Sequence, residues 1–219
     1  MSQILRWKLF MMQKNDKYIN QFGRSMVEMI GVLTIVGVLS IGGIAGYLKA
    51  SEMLRTSKLK DDLSHLIANI RTVYFTQDSY ANISAENIIR VGIVPDHMIS
   101  DDNSSIINRL GGTVSLSPAK ITDDENGAFI LIFNGLDSKT CNALIIENWG
   151  SDVQTGFIGM SISKTGDMTA QTSGLVDAEF ATTETVFHSR DLPMALISQS
   201  YDACNCTDQT LCSIAWKFI

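Results

Sequence analysis

Four cysteines, one acidic residue beside an apolar run, and three histidines are the residues whose types could do chemistry. Cys141, Cys204, Cys206 and Cys212 all follow the apolar run. If that run places the later chain outside the cytoplasm, oxidation to two disulfides is the natural reading. The rival chemistry is a structural zinc site. Tetrahedral sites use paired C-x2-4-C spacings, and a Cys-x-Cys with distant Cys141 fits that pattern poorly. A Cys204–Cys206 bond would be strained, and the remaining pairings stay open at this level. His65, His97 and His188 are scattered and read as surface or helix-face histidines. There is no G-x-S-x-G, P-loop or H-E-x-x-H, so no enzyme, cofactor or metal is expected. Asp123-Asp124-Glu125-Asn126 offers oxygen ligands that could bind calcium, but it reads as a solvated acidic turn.

Glu28 is the remaining reactive group, and its meaning depends on the element that carries it. Met29 to Leu48 is an uncharged run of 20 residues. At ~1.5 Å per residue a helix of that length spans ~30 Å, about one hydrocarbon core. Only a helix satisfies its backbone there. A carboxylate at such a run is costly, by roughly 2.5–3.5 kcal/mol for a charge at the centre and less near an end. Glu28 favours the positive end of the helix dipole. That accounts for an acid at this point, but not for its distance from Gly23. Gly31, Gly37, Ser40, Gly42, Gly43 and Gly46 punctuate the run. Gly42 and Gly46 form a G-x-x-x-G spacing that lets helices approach closely.

Charge is distributed unevenly along the chain. The net charge is −6, from 17 basic and 23 acidic residues. Residues 1–23 hold Arg6, Lys8, Lys14 and Lys17 against Asp16, a balance of +3. Removing those leaves 13 basic and 22 acidic side chains, or −9, for the body. An acidic body argues against nucleic-acid binding, and a basic leader suits retention in the cytoplasm. A secretory signal would be cut after its apolar core among small residues. Here that site would be Gly43-Ile44-Ala45, a weak match that makes an unusually long leader.

Gly23-Arg24-Ser25-Met26-Val27-Glu28, followed by MIGVLTIVGVLS, resembles the class III leader junction of type IV pilins and related pseudopilins. In that family a prepilin peptidase cuts after the glycine, the new N-terminus is methylated, and the fifth mature residue is glutamate. The resemblance places cleavage between Gly23 and Arg24, methylation on Arg24, and the assembly glutamate at Glu28. The first mature residue, often Phe or Met in the family, is Arg24 here.

Past the run, Leu59, Leu63, Leu66, Ile67, Ile70, Val73 and Tyr74 recur at helical spacing. Lys58, Lys60, Asp61, Asp62, His65, Asn69 and Arg71 are expected on the other faces. One helix of about 45–50 residues is expected, apolar all round first and amphipathic later. Its alternative is two helices with a break near Ser51. Ser84 is expected to cap a short helix ended by Gly92 and Pro95. Gly111-Gly112 marks a turn before a strand at 113–116. Further strands are expected at 128–133, 157–163 and 213–219, the last with Ile214, Trp216 and Phe218 inward. A short helix over 139–149 carries Cys141 near its start.

The series ENIIRVGIVPDHMI, IINRLGGTVSL and AFILIFNGLDSKTCNALI resembles the middle of type IVb pilins. The likeness covers most of the chain and is loosest over 151–201. It implies a disulfide from the Cys-bearing helix to a cysteine near the C-terminal end, Cys141 with Cys204 or Cys206. The favoured set is Cys141–Cys204 and Cys206–Cys212. The implied fold is α+β, a long helical spine packed on an antiparallel sheet head with a disulfide-closed C-terminal region. Its expected parts are a cleaved leader (1–23), a transmembrane and filament-core helix (24–50), an amphipathic helix (51–76) and a globular head (77–219). Expected partners are further copies of the chain, a prepilin peptidase, inner-membrane lipid and the pilus assembly machinery. The expected setting is a Gram-negative inner membrane, single-pass with the head in the periplasm, and then an extracellular filament.

Overall fold

The computed structural model describes residues 19–149, 156–177, 186–187, 201–207 and 209–219, with side chains throughout except at 19–25 and 186–187. The basic leader residues Arg6, Lys8, Lys14 and Lys17, and also His188, lie outside the described residues. Contacts divide the chain into two units, Met1–Leu54 and Arg55–Ile219.

Helix α1 runs from Ile19 to Tyr74, 56 residues without the break near Ser51. It begins upstream of Gly23, so the Gly23–Arg24 peptide bond lies within helix. In the first unit its apolar side chains, Met26 through Leu54, are exposed, and the helix is long and apolar enough to cross a membrane. In the second unit the stripe Leu59, Leu63, Leu66, Ile70 is fully buried, with Ile67 and Tyr74 beside it. Burying four such side chains contributes about 6–12 kcal/mol.

Helix α2 (Ala85–Val91) starts where the Ser84 side chain accepts from the Asn87 amide, and ends at Gly92 with φ 77°. A 3-10 turn over Asp96–Met98 follows Pro95. Helix α3 is Ser138–Ile145, shorter than the expected 139–149, and is capped by Asp137, whose side chain accepts from the Thr140 amide. The strands are β1 (Ile106–Ile107), β2 (Thr113–Ile121), β3 (Asp124–Leu136), β4 (Phe157–Ser163), β5 (Val186–Phe187) and β6 (Cys212–Phe218). They form one sheet in the order β1-β2-β3-β6-β4-β5, antiparallel at every pairing.

Both faces of the sheet are covered, which the alternation expected for β6 did not include. Phe129, Leu131 and Phe133 alternate along β3 with Ala128, Ile130 and Ile132. The first set joins Ile214, Trp216 and Phe218 in the core that takes in the stripe of α1. The second set joins Ala215 and the apolar residues Met168, Ala170 and Leu175. Lys217 therefore lies buried, its Nζ donating to the Asp177 carbonyl at 3.2 Å. Burial pushes its pKa down, against the pull of the nearby Asp177 carboxylate.

Candidate functional site

Two regions hold the residues singled out from the sequence. The first is the exposed part of α1. Glu28 is exposed on this helix, between Val27 and Met29. A Cβ added at Gly31, Gly37, Gly42, Gly43 or Gly46 would meet nothing within 4 Å. Among the described residues nothing requires glycine there, and in a helix interior each glycine costs roughly 0.5–1 kcal/mol relative to alanine. At 3.6 residues per turn, Glu28, Gly31, Gly42 and Gly46 fall within about 60° of one another around the helix. Gly43 lies about 60° to the other side of Glu28, and Gly37 points the opposite way.

The second region is the end of the chain that the cysteines close. Asp137 turns the chain from β3 into α3 and sets Cys141 in its first turn, where Cys141 N–H donates to the Asp137 carbonyl at 2.9 Å. Cys141 is joined to Cys204 across 63 residues of sequence, and Cys206 to Cys212 across six. Ser138 Oγ donates to the Cys204 carbonyl at 2.6 Å, which ties α3 to this crossing a second time. Sulfurs joined in this way are not the thiolates that a zinc site needs.

Three residues form an ion-pair cluster that sequence reasoning missed. Asp62, expected on a face of α1 other than the apolar stripe, is buried. Its carboxylate accepts from Arg109 Nε at 2.5 Å and Arg109 Nη2 at 3.1 Å. His97 Nε2 stands 2.9 Å from the same carboxylate and 2.9 Å from Arg109 Nη2. The signal was in the spacing, since Asp62 lies three residues after Leu59 and four before Leu66, on the buried stripe. No local feature named its partners, which come from the 3-10 turn and the loop after β1.

The Asn-x-x-Gly-Gly motif also acquires a reason. Asn108 Oδ1 accepts from the Leu110 and Gly112 amides, and its Nδ2 donates to the Asn134 carbonyl at 2.7 Å. Gly111 holds φ 83°. A Cβ on Gly112 would lie 1.8 Å from the Asn134 carbonyl oxygen. Asn134 then binds the Met168 backbone through both ends of its amide. The acidic turn ending β2 is stitched by an ion pair of Lys120 with Glu125 at 2.8 Å. His65 is exposed on α1.

The chain matches the PilS N-terminal family over residues 53–187. It is similar to the major structural subunit of the bundle-forming pilus of Escherichia coli, 24% identical over 177 residues, covering 77% of this chain and 89% of that one. It is also similar to the toxin coregulated pilin of Vibrio cholerae serotype O1, 26% identical over 142 residues, covering 63% of this chain and 62% of that one. Among solved structures it resembles TcpA, a type IV pilin from the El Tor biotype of Vibrio cholerae. That superposition has a TM-score of 0.52 at 18% identity and covers 76% of this chain and 99% of the other. The chain belongs to the PilS N-terminal family and has the fold of a type IV pilin.

Proposed function

We propose that this chain is a structural subunit of a type IVb-like pilus, inserted in the inner membrane as a precursor and polymerised through its N-terminal helix. The observation that carries this reading is the exposed half of α1, apolar on every side, with glycines that no contact among the described residues requires. Small residues in such a helix earn their place only where another helix comes close. The relative from Escherichia coli is named a major structural subunit of a pilus, which supports a structural role over an enzymatic one.

In this reading residues 1–23 form the leader, which a prepilin peptidase removes at the cytoplasmic face. Arg24 becomes the methylated N-terminus. Residues 24–50 hold the subunit in the membrane and later form the filament core. Residues 51–76 carry the head, 77–219, outside. The assembly machinery lifts subunits from the inner membrane into an extracellular filament. Glu28 neutralises the N-terminal amine of a neighbouring copy, because either charge alone in an apolar core is costly. Only one axial offset neutralises both charges, so the pair sets register. Gly31, Gly42 and Gly46 share Glu28's side of the helix and let the neighbour's backbone approach there.

The test is the intact mass of the protein in filaments sheared from cells. The expected mass begins at Arg24, carries one methyl group, and rises by four hydrogens on reduction. A full-length mass, or one beginning near Gly46, would overturn the processing scheme. Correct trimming without recovery in sheared filaments would instead indicate a minor pilin or a secretion pseudopilin. A Glu28→Val chain should remain in the membrane and form no filaments. Normal filaments from it would remove Glu28 from the mechanism.

A further inference from the structure

We infer that Cys212 is a capped internal nucleophile, held in place to exchange with the Cys141–Cys204 disulfide as soon as the Cys206–Cys212 bond opens. The Sγ atoms of Cys141, Cys204 and Cys212 all lie within 4.8 Å of one another. Cys206 does not belong to this mutually close set. Its sulfur lies instead beside backbone oxygens, 3.6 Å from that of Cys204 and 3.8 Å from that of Leu136. The two bonds are therefore one cluster with a direction. Of the two sulfurs of the short bond, that of Cys212 is the one within 4.8 Å of both sulfurs of the long-range bond.

Burial sets which sulfur a reductant meets first. Cys206 is 8% exposed and flanked by exposed Asn205 and Thr207, whereas Cys141, Cys204 and Cys212 are fully buried. A thiolate of an external dithiol attacks Cys206 Sγ. The Cys206–Cys212 bond breaks, a mixed disulfide forms at Cys206, and Cys212 leaves as the thiolate. Cys212 Sγ then attacks Cys141 or Cys204. The Cys141–Cys204 bond breaks, a bond to Cys212 forms, and the displaced cysteine leaves as a thiolate that takes a proton from water. No electrons enter in this second step. The second thiol of the dithiol displaces Cys206 as a thiol and leaves the dithiol oxidised. The net result is one two-electron reduction, with one protein disulfide still present but moved. The six-residue ring is thus the guard of the 63-residue one.

The test uses the full-length protein in detergent, in three forms: wild type, Cys206→Ser and Cys212→Ser. Each is held at mildly alkaline pH, trapped with N-ethylmaleimide, and mapped by non-reducing peptide mass analysis. Cys206→Ser frees Cys212, and the expected result is a new cross-link from Cys212 to Cys141 or Cys204, with maleimide on the displaced cysteine. Cys212→Ser frees Cys206, and the expected result is maleimide on Cys206 alone with Cys141–Cys204 retained. Maleimide confined to Cys212 in the Cys206→Ser protein overturns the inference, as does equal shuffling in both variants. Limited reduction of the wild type with a dithiol covers the case in which a variant does not fold. The first two-thiol species should then carry a Cys212 link to Cys141 or Cys204. A two-thiol species that keeps Cys141–Cys204, or one in which that bond opens while Cys206–Cys212 survives, also overturns it.

Discussion

Replacing Arg109 by alanine tests the physical account of the head most sharply. Asp62 has a side chain only 9% exposed, and Arg109 supplies two of the three polar contacts to its carboxylate. Without the guanidinium, a nearly buried charge keeps His97 alone. Breaking a buried pair from one side costs about 3–5 kcal/mol, because the surviving charge stays desolvated. Asp62→Asn in the same background removes that charge and should recover a large part of the loss. Asp62→Ala alone should cost less than Arg109→Ala, since Arg109 is 30% exposed and can turn toward water. The readout is tryptophan fluorescence during thermal unfolding. Trp216 is fully buried and Trp149 packs edge-on to it at 5.4 Å, so the signal follows the core of the head. For a unit of this size about 2–4 °C corresponds to 1 kcal/mol, so Arg109→Ala should lower Tm by roughly 6–20 °C. A loss under about 2 °C, or a double variant no better than Arg109→Ala, would refute the reasoning.

Three other outcomes are expected. Loss of both Cys141 and Cys204 as serines should cost about 4 kcal/mol, and loss of both Cys206 and Cys212 about 2, from loop-closure entropy; comparable losses in denaturant melts would contradict that ordering. Gly112→Ala drives a methyl into the Asn134 carbonyl and should prevent accumulation of folded protein, whereas Gly42→Ala should leave the Tm of the head unchanged and impair filaments only. Lys217 titrates below the usual lysine range when folded, so the unfolded chain binds more protons as pH climbs toward 10.5, and its contribution to stability rises over that window. Lys217→Met should flatten this rise; the comparison is made below pH 10, because Tyr74 and Tyr80 are raised by burial and their contribution falls above it. Parallel Tm profiles for wild type and Lys217→Met at neutral and mildly alkaline pH would rule out the assignment.

The parts of the fold written in local periodicity were legible from the sequence. The stripe from Leu59 to Tyr74, the Ser84 cap and the strand at 157–163 each depend on residues within a few positions of one another. Interactions across long separations were not. Asp62, expected on a face of α1 other than the apolar stripe, has its partner Arg109 47 residues away, and only the fold brings them together. The alternation that put Ile214, Trp216 and Phe218 inward said nothing of a second covered face, because Met168, Ala170 and Leu175, which pack there with Ala215, come from a distant loop. The reason for Gly112 rather than any small residue needed the carbonyl of Asn134 in the neighbouring strand. The fold class, the long apolar helix and the favoured cysteine pairs Cys141–Cys204 and Cys206–Cys212 were therefore legible, while the buried polar contacts of the head were not.

The order of the strands has a consequence for timing. β6 sits between β3 and β4 and comes last in chain order among the described strands. Until residues 212–218 arrive, β4 and β5 have no backbone partner linking them to β1, β2 and β3. Trp216, which pairs with Leu131 on one side and Met160 on the other, is likewise missing from the core. The described sheet is therefore continuous only once β6 has paired on both sides, and such long-range pairing is the kind that slows folding. A chain cut short by even a dozen residues would keep its helix and its hairpin but have no continuous sheet.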